Sequence, residues 1–493
     1  MQYYTLIFIA CQLFCLCFVA NITLCVKILF VFINLLLERF YIVIYILKKN
    51  NFFKKNPVRT ICFSFLIIMM LGSFLLRLPI SSKNPVSFTD CLFTSTSATC
   101  ITGFSVKDTF SQWSLFGKIV ILILIQTGGL GFITFSSVFL IILNNKLSLK
   151  NLKLASSQIN VKNLADVKTL FKNVLLITFF CEFVGTILLS FSYCKKFGSY
   201  GIFMSVFSAV AAYCNAGLDL NGIFYENCSF IPFSKDYLVV FTISALTFVG
   251  GIGFVAINEI LQFKKAKIKL RCISISSKIA VFGSLFMLIF GTIGFLFLEY
   301  GNSLKDFSFL EKISNSVFNS TAARTSGFTT VDFSQIDNLT KLFLCILMFI
   351  GANPTGTSGG IKISTIIIIL STVVSVLKNK EENTILDHKI NKTTTYKAIA
   401  LFFLSLLIIF LSILLVSSFN SEIALSNVVF SVVSAFSTTG FQIINSNCFS
   451  TYSKYILIAL MFIGRVGPLS FAIIFNNKNN SKHMFLPESN LNI

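Results

Sequence analysis

Cys100-Ile101-Thr102-Gly103-Phe104 is the first of four similar segments in this chain, each of which ends in a glycine followed by phenylalanine or leucine. The other three are Cys214-Asn215-Ala216-Gly217-Leu218, Arg324-Thr325-Ser326-Gly327-Phe328 and Ser437-Thr438-Thr439-Gly440-Phe441. The glycines are separated by 114, 110 and 113 residues (217−103, 327−217 and 440−327). Such a period indicates an internal repeat, so we interpret the chain as four units of one kind.

The composition places these units in a membrane. Only 12% of the 493 residues are charged and the mean hydropathy is +0.84, whereas a soluble domain carries about 25% charged residues. Apolar runs of about 20 residues, the length that crosses a bilayer, recur along the chain. The composition therefore predicts a multi-pass membrane protein.

Each unit is predicted to contain a long apolar outer helix, a short helix that ends at the glycine segment, and a long inner helix. The outer helices are predicted at 60–78, 172–194, 276–299 and 396–418, the short helices at 88–99, 202–213, 312–323 and 424–436, and the inner helices at 114–142, 237–260, 340–377 and 453–476. A short helix cannot span the bilayer, so it must enter and return, which is tolerated only where protein or water covers the backbone.

Four such loops on one axis would satisfy that condition. The predicted fold is therefore an all-α polytopic membrane protein of four fused outer helix–pore loop–inner helix repeats, with pseudo-fourfold symmetry around one pore. The predicted parts are an apolar extension at 1–56, repeats at 57–145, 146–262, 263–380 and 381–476, and a cytoplasmic tail at 477–493. Residues 1–47 could form one or two crossings.

The net charge of +21 does not indicate a nucleic-acid partner, because the basic residues lie in short loops between apolar runs. The loops between the units are rich in lysine and are predicted to be cytoplasmic by the positive-inside bias. Acidic residues flank the glycine segments, which are predicted to face outside: Asp90, Asp108, Asp219, Glu226, Asp332, Asp337 and Glu422. The 14 cysteines form no CxxC pair, so we predict neither a structural disulfide nor a metal site apart from potassium.

The glycine segments have the composition of a selectivity filter. Rings of backbone carbonyls replace the hydration shell of an ion, and aligning them needs backbone conformations that glycine adopts cheaply. No filter residue is acidic, which favours a monovalent cation, and each short helix directs its negative carbonyl end toward the axis. The residues predicted to bind the ion are Cys100, Ile101, Thr102, Gly103, Cys214, Asn215, Ala216, Gly217, Arg324, Thr325, Ser326, Gly327, Ser437, Thr438, Thr439 and Gly440.

Side chains around the glycines are predicted to support the filter. Hydrogen bonds behind it are predicted from Thr102, Asn215, Thr325, Thr438 and Thr439. A phenylalanine precedes the glycine by ten residues in three units but by nine in the third (Phe318), so the third loop is predicted to be one residue shorter. We interpret the Arg324 side chain as an anchor for its helix, because a cation cannot replace an oxygen ligand.

A polar break in the third inner helix is predicted to form a gate that faces a water-filled cavity, together with Arg465 of the fourth inner helix. The predicted gate residues are Gly351, Asn353, Pro354, Gly356, Gly359, Gly360 and Arg465. The alternatives are a plain cytoplasmic turn for the break and an arginine that reaches the headgroups. The matched pairs Gly128-Gly129 and Gly250-Gly251 either pack helices or line the pore, and Glu182 is either a structural partner or a coupling site.

These segments resemble the Trk/Ktr/HKT superfamily of potassium transporters, and most of all its bacterial Ktr pore subunit, over residues 57–476. The most specific matches are the segments ending at Phe104, Leu218 and Phe328, Gln126-Thr127-Gly128-Gly129-Leu130-Gly131-Phe132, and Gly351-Ala352-Asn353-Pro354. The resemblance implies a homodimer with one pore per protomer, a cytosolic ring of nucleotide-binding regulatory subunits, and a gate loop below the filter. It also implies potassium selectivity, because Gly103 stands where sodium-conducting members tend to have serine.

The leading prediction is thus potassium uptake across the plasma membrane, with K⁺ as the transported ion, no organic cofactor, and lipid as the surrounding partner. Sodium or mixed monovalent cation transport by the same fold is the alternative, and Na⁺ as a coupling or activating ion is left open. A membrane-embedded enzyme would need a polar catalytic cluster within the spans, which the sequence does not show.

Overall fold

A computed structural model describes residues 57–143, 164–266, 274–354, 356–380, 382–386 and 388–468. The predicted extension at 1–56 and tail at 477–493 lie outside these residues. The described part is mostly helical and contains one two-stranded hairpin, and each of its four units contains the predicted outer, short and inner helices.

The helices follow one another in the predicted order. The outer helices are α1 (Pro57–Leu76), α5 (Leu164–Phe197), α9 (Ile275–Glu299) and α13 (Lys392–Phe419); the short helices are α2 (Phe88–Cys100), α6 (Tyr200–Cys214), α10 (Phe309–Ala323) and α14 (Leu425–Ser437). The inner helices are α4 (Leu115–Leu143), the pair α7 (Tyr237–Ile252) and α8 (Phe254–Ala266), the pair α11 (Asn338–Phe349) and α12 (Ile363–Leu377), and α15 (Thr451–Val466). The connections contain the single turn α3 (Thr109–Gln112), the hairpin of β1 (Thr384–Ile385) and β2 (His388–Lys389), and short 3-10 turns at Asn221–Ile223, Ile231–Phe233, Phe333–Gln335 and Ser446–Cys448.

The outer helices form the lipid-facing surface. Among the described residues, the stretches Lys172–Phe197, Ile275–Glu299 and Lys392–Phe419 are each long and apolar enough to span a membrane on their own. Large apolar side chains on these helices remain exposed, such as Phe180 and Phe282, which are 68% and 69% exposed. Exposed side chains of this kind belong in a hydrocarbon solvent, where burial inside the protein is not needed.

The units close into a ring. Each inner helix packs on the short helix of the following unit: α4 on α6, α7 on α10, α11 on α14, and α15 on α2. The last of these contacts joins the fourth unit to the first, which is the cyclic order expected of pseudo-fourfold symmetry. An ion pair reinforces this junction on the outer side, where Lys454 Nζ lies 2.9 Å from Asp90 Oδ1.

Local sequence explains where the short helices begin. Ser87 caps α2 by accepting from the Asp90 N–H, and Ser308 and Glu311 form a reciprocal capping box at the start of α10. The helices then run toward the centre with buried faces, so their first turns lie nearer solvent and their last turns lie in the core.

Two predicted inner helices differ from the structure. The second was predicted to be continuous over 237–260, but it breaks at Gly253 (φ +100°) and α8 turns away by 93°. The fourth was predicted over 453–476, but α15 ends at Val466 with Gly467 at φ +89°. In both, a glycine three residues after a packed glycine adopts a backbone conformation that other residues avoid. The predicted break in the third inner helix is confirmed, between Phe349 and Ile363.

Candidate functional site

The four repeat glycines lie together and form a closed ring. An ideal Cβ built on each glycine would come within 3.0 Å of the carbonyl oxygen of the residue that precedes the glycine of the next unit. The pairs are Gly103 with Ala216, Gly217 with Ser326, Gly327 with Thr439, and Gly440 with Thr102. Because the fourth pair returns to the first unit, the segments surround a single axis, and any side chain larger than a hydrogen atom would displace the ring.

Two residues in each segment have left-handed backbone conformations. The glycines have φ values of +93°, +64°, +73° and +87°, and the residues two positions earlier also have positive φ: Ile101, Asn215, Thr325 and Thr438. Such a φ is unusual for Ile101, because a β-branched side chain disfavours it. Backbone strain of this kind persists only where the surroundings enforce it, and it concentrates at functional sites.

The last turn of each short helix delivers the chain into this conformation. In the first, second and fourth units, the residue before the glycine donates its N–H to the carbonyl five positions back, at 2.8–2.9 Å (Thr102 to Ser97, Ala216 to Ala211, Thr439 to Ser434). This bond, with a left-handed residue at the helix end, is the Schellman arrangement. The helix carbonyl ends therefore meet around the ring and supply partial negative charge there.

The third unit differs in a way that the sequence did not predict. Its helix α10 ends at Ala323, four residues before Gly327, whereas the other three short helices end three residues before their glycines. The predicted shorter loop is therefore wrong: the missing residue is taken from the helix, and the nonhelical stretch is one residue longer. Ser326 and Gly327 both donate to the Ala322 carbonyl, at 2.9 and 3.2 Å.

The predicted hydrogen bonds behind the ring form only in part. Thr439 Oγ1 lies 2.8 Å from Ser437 Oγ, and Asn215, in the amide orientation that satisfies its neighbours, donates to the Ala212 and Thr247 carbonyls at 2.9 and 3.2 Å. Thr438 instead accepts from the polar break in the third inner helix. The Thr102 and Thr325 hydroxyls have no hydrogen-bond partner within the described parts of the chain, so the prediction is wrong for these two.

Arg324 directs its side chain away from the ring. Its guanidinium donates to the Ser284 carbonyl and hydroxyl, both at 3.1 Å, on outer helix α9. Ser284 Oγ also accepts from Asn353 Nδ2 at 2.7 Å. The anchor interpretation of Arg324 is thus confirmed, and Ser284 links the third glycine segment to the start of the polar break.

The polar break, residues 350–362, forms a largely buried loop against the ring. We call it the gate loop, after the role predicted for it from the sequence. The Asn353 N–H donates to the Gly251 carbonyl at 3.3 Å and the Thr357 N–H to the Gly250 carbonyl at 3.4 Å. The Gly359 N–H donates to Thr438 Oγ1 at 3.0 Å. Both Asn353 and Thr357 are at most 1% exposed, so the alternative of a plain cytoplasmic turn is wrong.

These contacts explain the bend in the second inner helix. The Gly250 and Gly251 carbonyls accept from the gate loop instead of relying on a continued helix beyond Gly253. Buried carbonyls require partners, and the loop supplies them where the helix stops. The break and the bend therefore stabilise each other through contacts between segments that are far apart in the sequence.

Two cationic side chains bind consecutive carbonyls of the gate loop. Arg465 donates to the Thr357 carbonyl and, at 2.5 Å, to the Gly128 carbonyl of the first inner helix. Lys362 donates to the Ser358 carbonyl at 2.6 Å and to the Gly359 carbonyl at 3.3 Å. The predicted pairing of Arg465 with the loop is confirmed, and the arginine does not extend toward the headgroups. Lys362 was missed, although a lysine between a glycine-rich break and an apolar helix was a usable signal.

The other predicted gate residues shape the loop. Gly351 passes so close to the Gly359 carbonyl that a Cβ could not fit, and Gly360 has φ +69°. Gly356 donates to the Asn353 carbonyl at 3.3 Å. Pro354 is exposed, in contrast to the buried residues 351–353 that precede it.

The matched inner-helix glycines permit close packing. A Cβ on Gly128, Gly250 or Gly464 would meet the carbonyl of Thr99, Tyr213 or Phe436, each of which lies four residues before a ring glycine. Inner helices thus press against the last turns of the short helices. Packing is the role that the structure supports for these glycines.

Glu182 is buried behind the second segment, at 4% exposure. The Cys214 thiol lies 4.0 Å from Glu182 Oε1 and 3.8 Å from Gln126 Oε1. Glu182 thus contacts the base of a predicted filter segment, which is compatible with either of the two roles predicted for it.

Comparisons with known proteins point in one direction. The model of the TrkH family, described as cation transport protein, matches residues 48–486. The Ktr system potassium uptake protein B of Bacillus subtilis (strain 168) is 34% identical over 429 residues, which cover 86% of this chain and 94% of that protein. The potassium/sodium uptake protein NtpJ of Enterococcus hirae is 30% identical over 455 residues, covering 90% and 99% respectively.

A solved structure supports the fold independently. The crystal structure of the potassium transporter TrkH from Vibrio parahaemolyticus matches with a TM-score of 0.69 over 85% of each chain. The sequence identity is 15%, so this likeness concerns the fold alone.

Proposed function

This chain belongs to the TrkH family of cation transport proteins, and from that premise we propose that it takes up potassium ions through the ring formed by its four glycine segments. Membership of this family confirms the resemblance stated from the sequence. The protein is a multi-pass protein of the plasma membrane, and the names of its relatives support potassium as the transported ion.

The closed ring of glycines is the observation that carries the proposal. An ion that leaves water needs replacement oxygens, and the carbonyls that precede the glycines converge on one axis from all four units. The carbonyl ends of four short helices add negative potential at the same place. The sixteen residues predicted from the sequence are proposed as the filter, with backbone oxygens as ligands and with the Arg324 side chain excluded from ion contact.

The gate loop is proposed to control passage below the filter. It lies against two filter residues, Asn215 and Thr438, and its carbonyls at 357–359 are occupied by Arg465 and Lys362. A permeating cation would meet both repulsion from these side chains and carbonyls that are already bound. Two unit charges about 6 Å apart repel by roughly 3 kcal/mol at an effective dielectric constant near 20, which slows permeation without abolishing it.

Selectivity for potassium over sodium is the finer part of the proposal. The first segment has glycine at the ring position, Gly103, from which the family resemblance implies potassium. NtpJ, whose name includes both ions, is a reason to test sodium directly as a transported or coupling ion.

The assembly proposed for this chain follows the name of its relative. A "Ktr system" protein B implies at least one further component, and we propose a cytosolic nucleotide-binding regulatory subunit together with a homodimer of pore subunits. The repeat boundaries at 57–145, 146–262, 263–380 and 381–476 are part of the same proposal, as is transport without a catalytic activity.

Growth rescue of a potassium-uptake-deficient host at micromolar potassium tests the function. Expression with and without a cytosolic regulatory subunit should restore growth in at least one arm, and rubidium uptake should be inhibited by potassium much more strongly than by sodium. Equal inhibition by both ions would favour the mixed-cation alternative. Membrane-inserted protein that carries neither ion in either arm would refute the proposal.

A further inference from the structure

A groove lies at the far end of the helix that leaves the gate loop. It is formed between the second half of α12 and the β1–β2 hairpin, and its volume is about 420 Å³. The lysine-rich loop that contains it is the one predicted to be cytoplasmic. None of the residues described so far as filter or gate lines this groove.

The lining of the groove has two chemically different parts. The wall consists of aliphatic side chains, Ile367, Leu370, Val374 and Ile385, and the rim carries Lys378 and Lys380. The remaining lining residues are hydroxylic, and none of the lining residues is acidic. Such a surface suits an amphipathic ligand with an apolar chain and an anionic head.

The groove is held open by specific bonds. Asn383 Nδ2 donates to Thr372 Oγ1 at 2.7 Å and so ties the hairpin to α12, while the Ile390 N–H closes the hairpin base on the Asn383 carbonyl at 2.8 Å. The carboxylate of Glu382, which does not line the groove, is bound to Lys389 of β2. Lys378 and Lys380 follow the last turn of α12, and both side chains are exposed.

The position of the groove fits the membrane boundary. Helix α12 has 15 residues, and at about 1.5 Å per residue it runs roughly 22 Å from the gate loop toward the cytoplasm. Leu370 and Val374 are 59% and 47% exposed on its surface. Apolar side chains therefore face the hydrocarbon region, and the lysines stand where headgroup phosphates lie.

We infer that this groove binds an anionic phospholipid of the cytoplasmic leaflet, with part of an acyl chain on the aliphatic wall and the phosphate between Lys378 and Lys380. The volume lies within the range of about 300–1,000 Å³ that is typical of ligand sites. Free phosphate would not need the aliphatic wall, whereas a lipid uses both parts. Because α12 starts at Ile363, directly after Lys362, the bound lipid would hold the helix on which the gate loop is mounted.

Lipid binding can be measured without transport. Delipidated protein in detergent is titrated with phosphatidylglycerol or phosphatidylcholine, and bound lipid is counted by native mass spectrometry. One lysine near an anionic headgroup contributes about fivefold in affinity, so Lys378→Gln with Lys380→Gln should weaken phosphatidylglycerol binding about 25-fold. The control, Lys392→Gln with Lys397→Gln, removes the same charge from exposed positions of the same cytoplasmic segment outside the groove and should change binding less than twofold.

Several results would overturn this inference. These are equal losses in both double variants, equal binding of the two lipids, competition by inorganic phosphate alone at millimolar concentration, or a change of oligomeric state or of regulatory-subunit binding in the groove variant with lipid binding unchanged. The consequence for gating rests on the proposed function and is tested separately. Potassium flux into proteoliposomes should rise with the phosphatidylglycerol fraction for the wild type and the control, but not for the groove variant. Specific lipid binding without any potassium flux would retain the site and refute the function. Potassium flux together with equal binding of the two lipids would retain the function and refute the site.

Discussion

Replacement of Gly217 by alanine tests whether the ring, and not merely the turn, requires glycine. Gly217 has φ +64°, and its added Cβ would lie 2.6 Å from the Ser326 carbonyl oxygen and 2.8 Å from Gly103 Cα. Gly198 is a matched control, because it has φ +59° and nothing within 4 Å of its Cβ position. Both substitutions carry the same left-handed strain, about 1–2 kcal/mol, and the same change in the entropy of the unfolded chain. Only Gly217→Ala adds a contact inside the ring.

The size of that additional effect follows from the geometry. Ordinary contact begins near 3.4 Å, so the Ser326 carbonyl must move by 0.8 Å (3.4−2.6). Overpacking of this kind costs about 1–3 kcal/mol, and because the displaced oxygen is a proposed ion ligand, potassium affinity should fall about 5- to 150-fold. The stability cost shared with Gly198→Ala cancels in the comparison.

The assay is rubidium uptake at a series of external potassium concentrations, with the membrane level of each variant measured by immunoblotting. Gly198→Ala should retain the half-saturation constant of the wild type. Gly217→Ala should raise that constant or abolish uptake at equal expression. If Gly217→Ala transports with wild-type affinity and selectivity, the ring is not the ion-binding site and the reasoning fails.

Three further predictions concern the supports of the ring and the gate. Arg465→Ala should raise potassium flux, because it removes a donor from the Thr357 carbonyl and a positive charge from the path of the ion. Lys362→Met should raise the flux less, because Lys362 donates only to carbonyls of its own loop. Unchanged or lower flux at normal expression would contradict both predictions. Asp90→Asn should lower the free energy of unfolding by about 1.5–3 kcal/mol, the contribution of a charged hydrogen bond, and thermal melting measures this loss. Ion selectivity, measured by ion competition, should not change, because the partner Lys454 lies on the outer side of the junction between the fourth and first units. Ser284→Ala should reduce potassium selectivity over sodium, because the Arg324 guanidinium and the Asn353 amide lose a shared acceptor. The control Ser405→Ala, at an equally buried serine that is bonded only within outer helix α13, should leave selectivity unchanged.

Much of this architecture follows from sequence because the repeat is covalent. The spacing of the four glycines and the half-length helices before them predict the ring, and the fourth pair, Gly440 with Thr102, confirms that it closes. Glycine-rich composition likewise predicts the break at 351–360. These features depend on local backbone chemistry, so the sequence of each segment is enough to predict them.

The parts that sequence did not predict depend on contacts between units. Ile101 adopts positive φ although its side chain disfavours it, because the ring imposes the conformation on all four segments. The second inner helix stops at Gly253 because N–H groups of a loop from the next unit donate to the Gly250 and Gly251 carbonyls. In the sequence, Lys362 is simply the residue before an apolar helix. Only the folded loop shows that its side chain binds the Ser358 and Gly359 carbonyls.

The contacts of the gate loop indicate how strongly it is held. Its neutral backbone bonds to other segments are Asn353 to Gly251, Thr357 to Gly250, and Gly359 to Thr438. At about 0.5–1.5 kcal/mol each, they total about 1.5–4.5 kcal/mol. That range overlaps the coupling free energies of about 1–3 kcal/mol that a regulatory ligand supplies. A coupling of that size offsets these backbone bonds alone, because release of the whole loop also breaks the side-chain bonds of Asn353 to Ser284 and of Arg465 to Thr357.

Release of the loop cannot leave the filter unchanged. Thr438 and Asn215 occupy equivalent left-handed positions in opposite segments, and both lose a gate-loop partner when the loop moves. The strain at these positions persists only while their surroundings enforce it. Opening the gate therefore weakens the restraint on two of the four segments at the same time. Variants that open the gate should consequently discriminate less well between potassium and sodium, even though none of the filter residues has been changed.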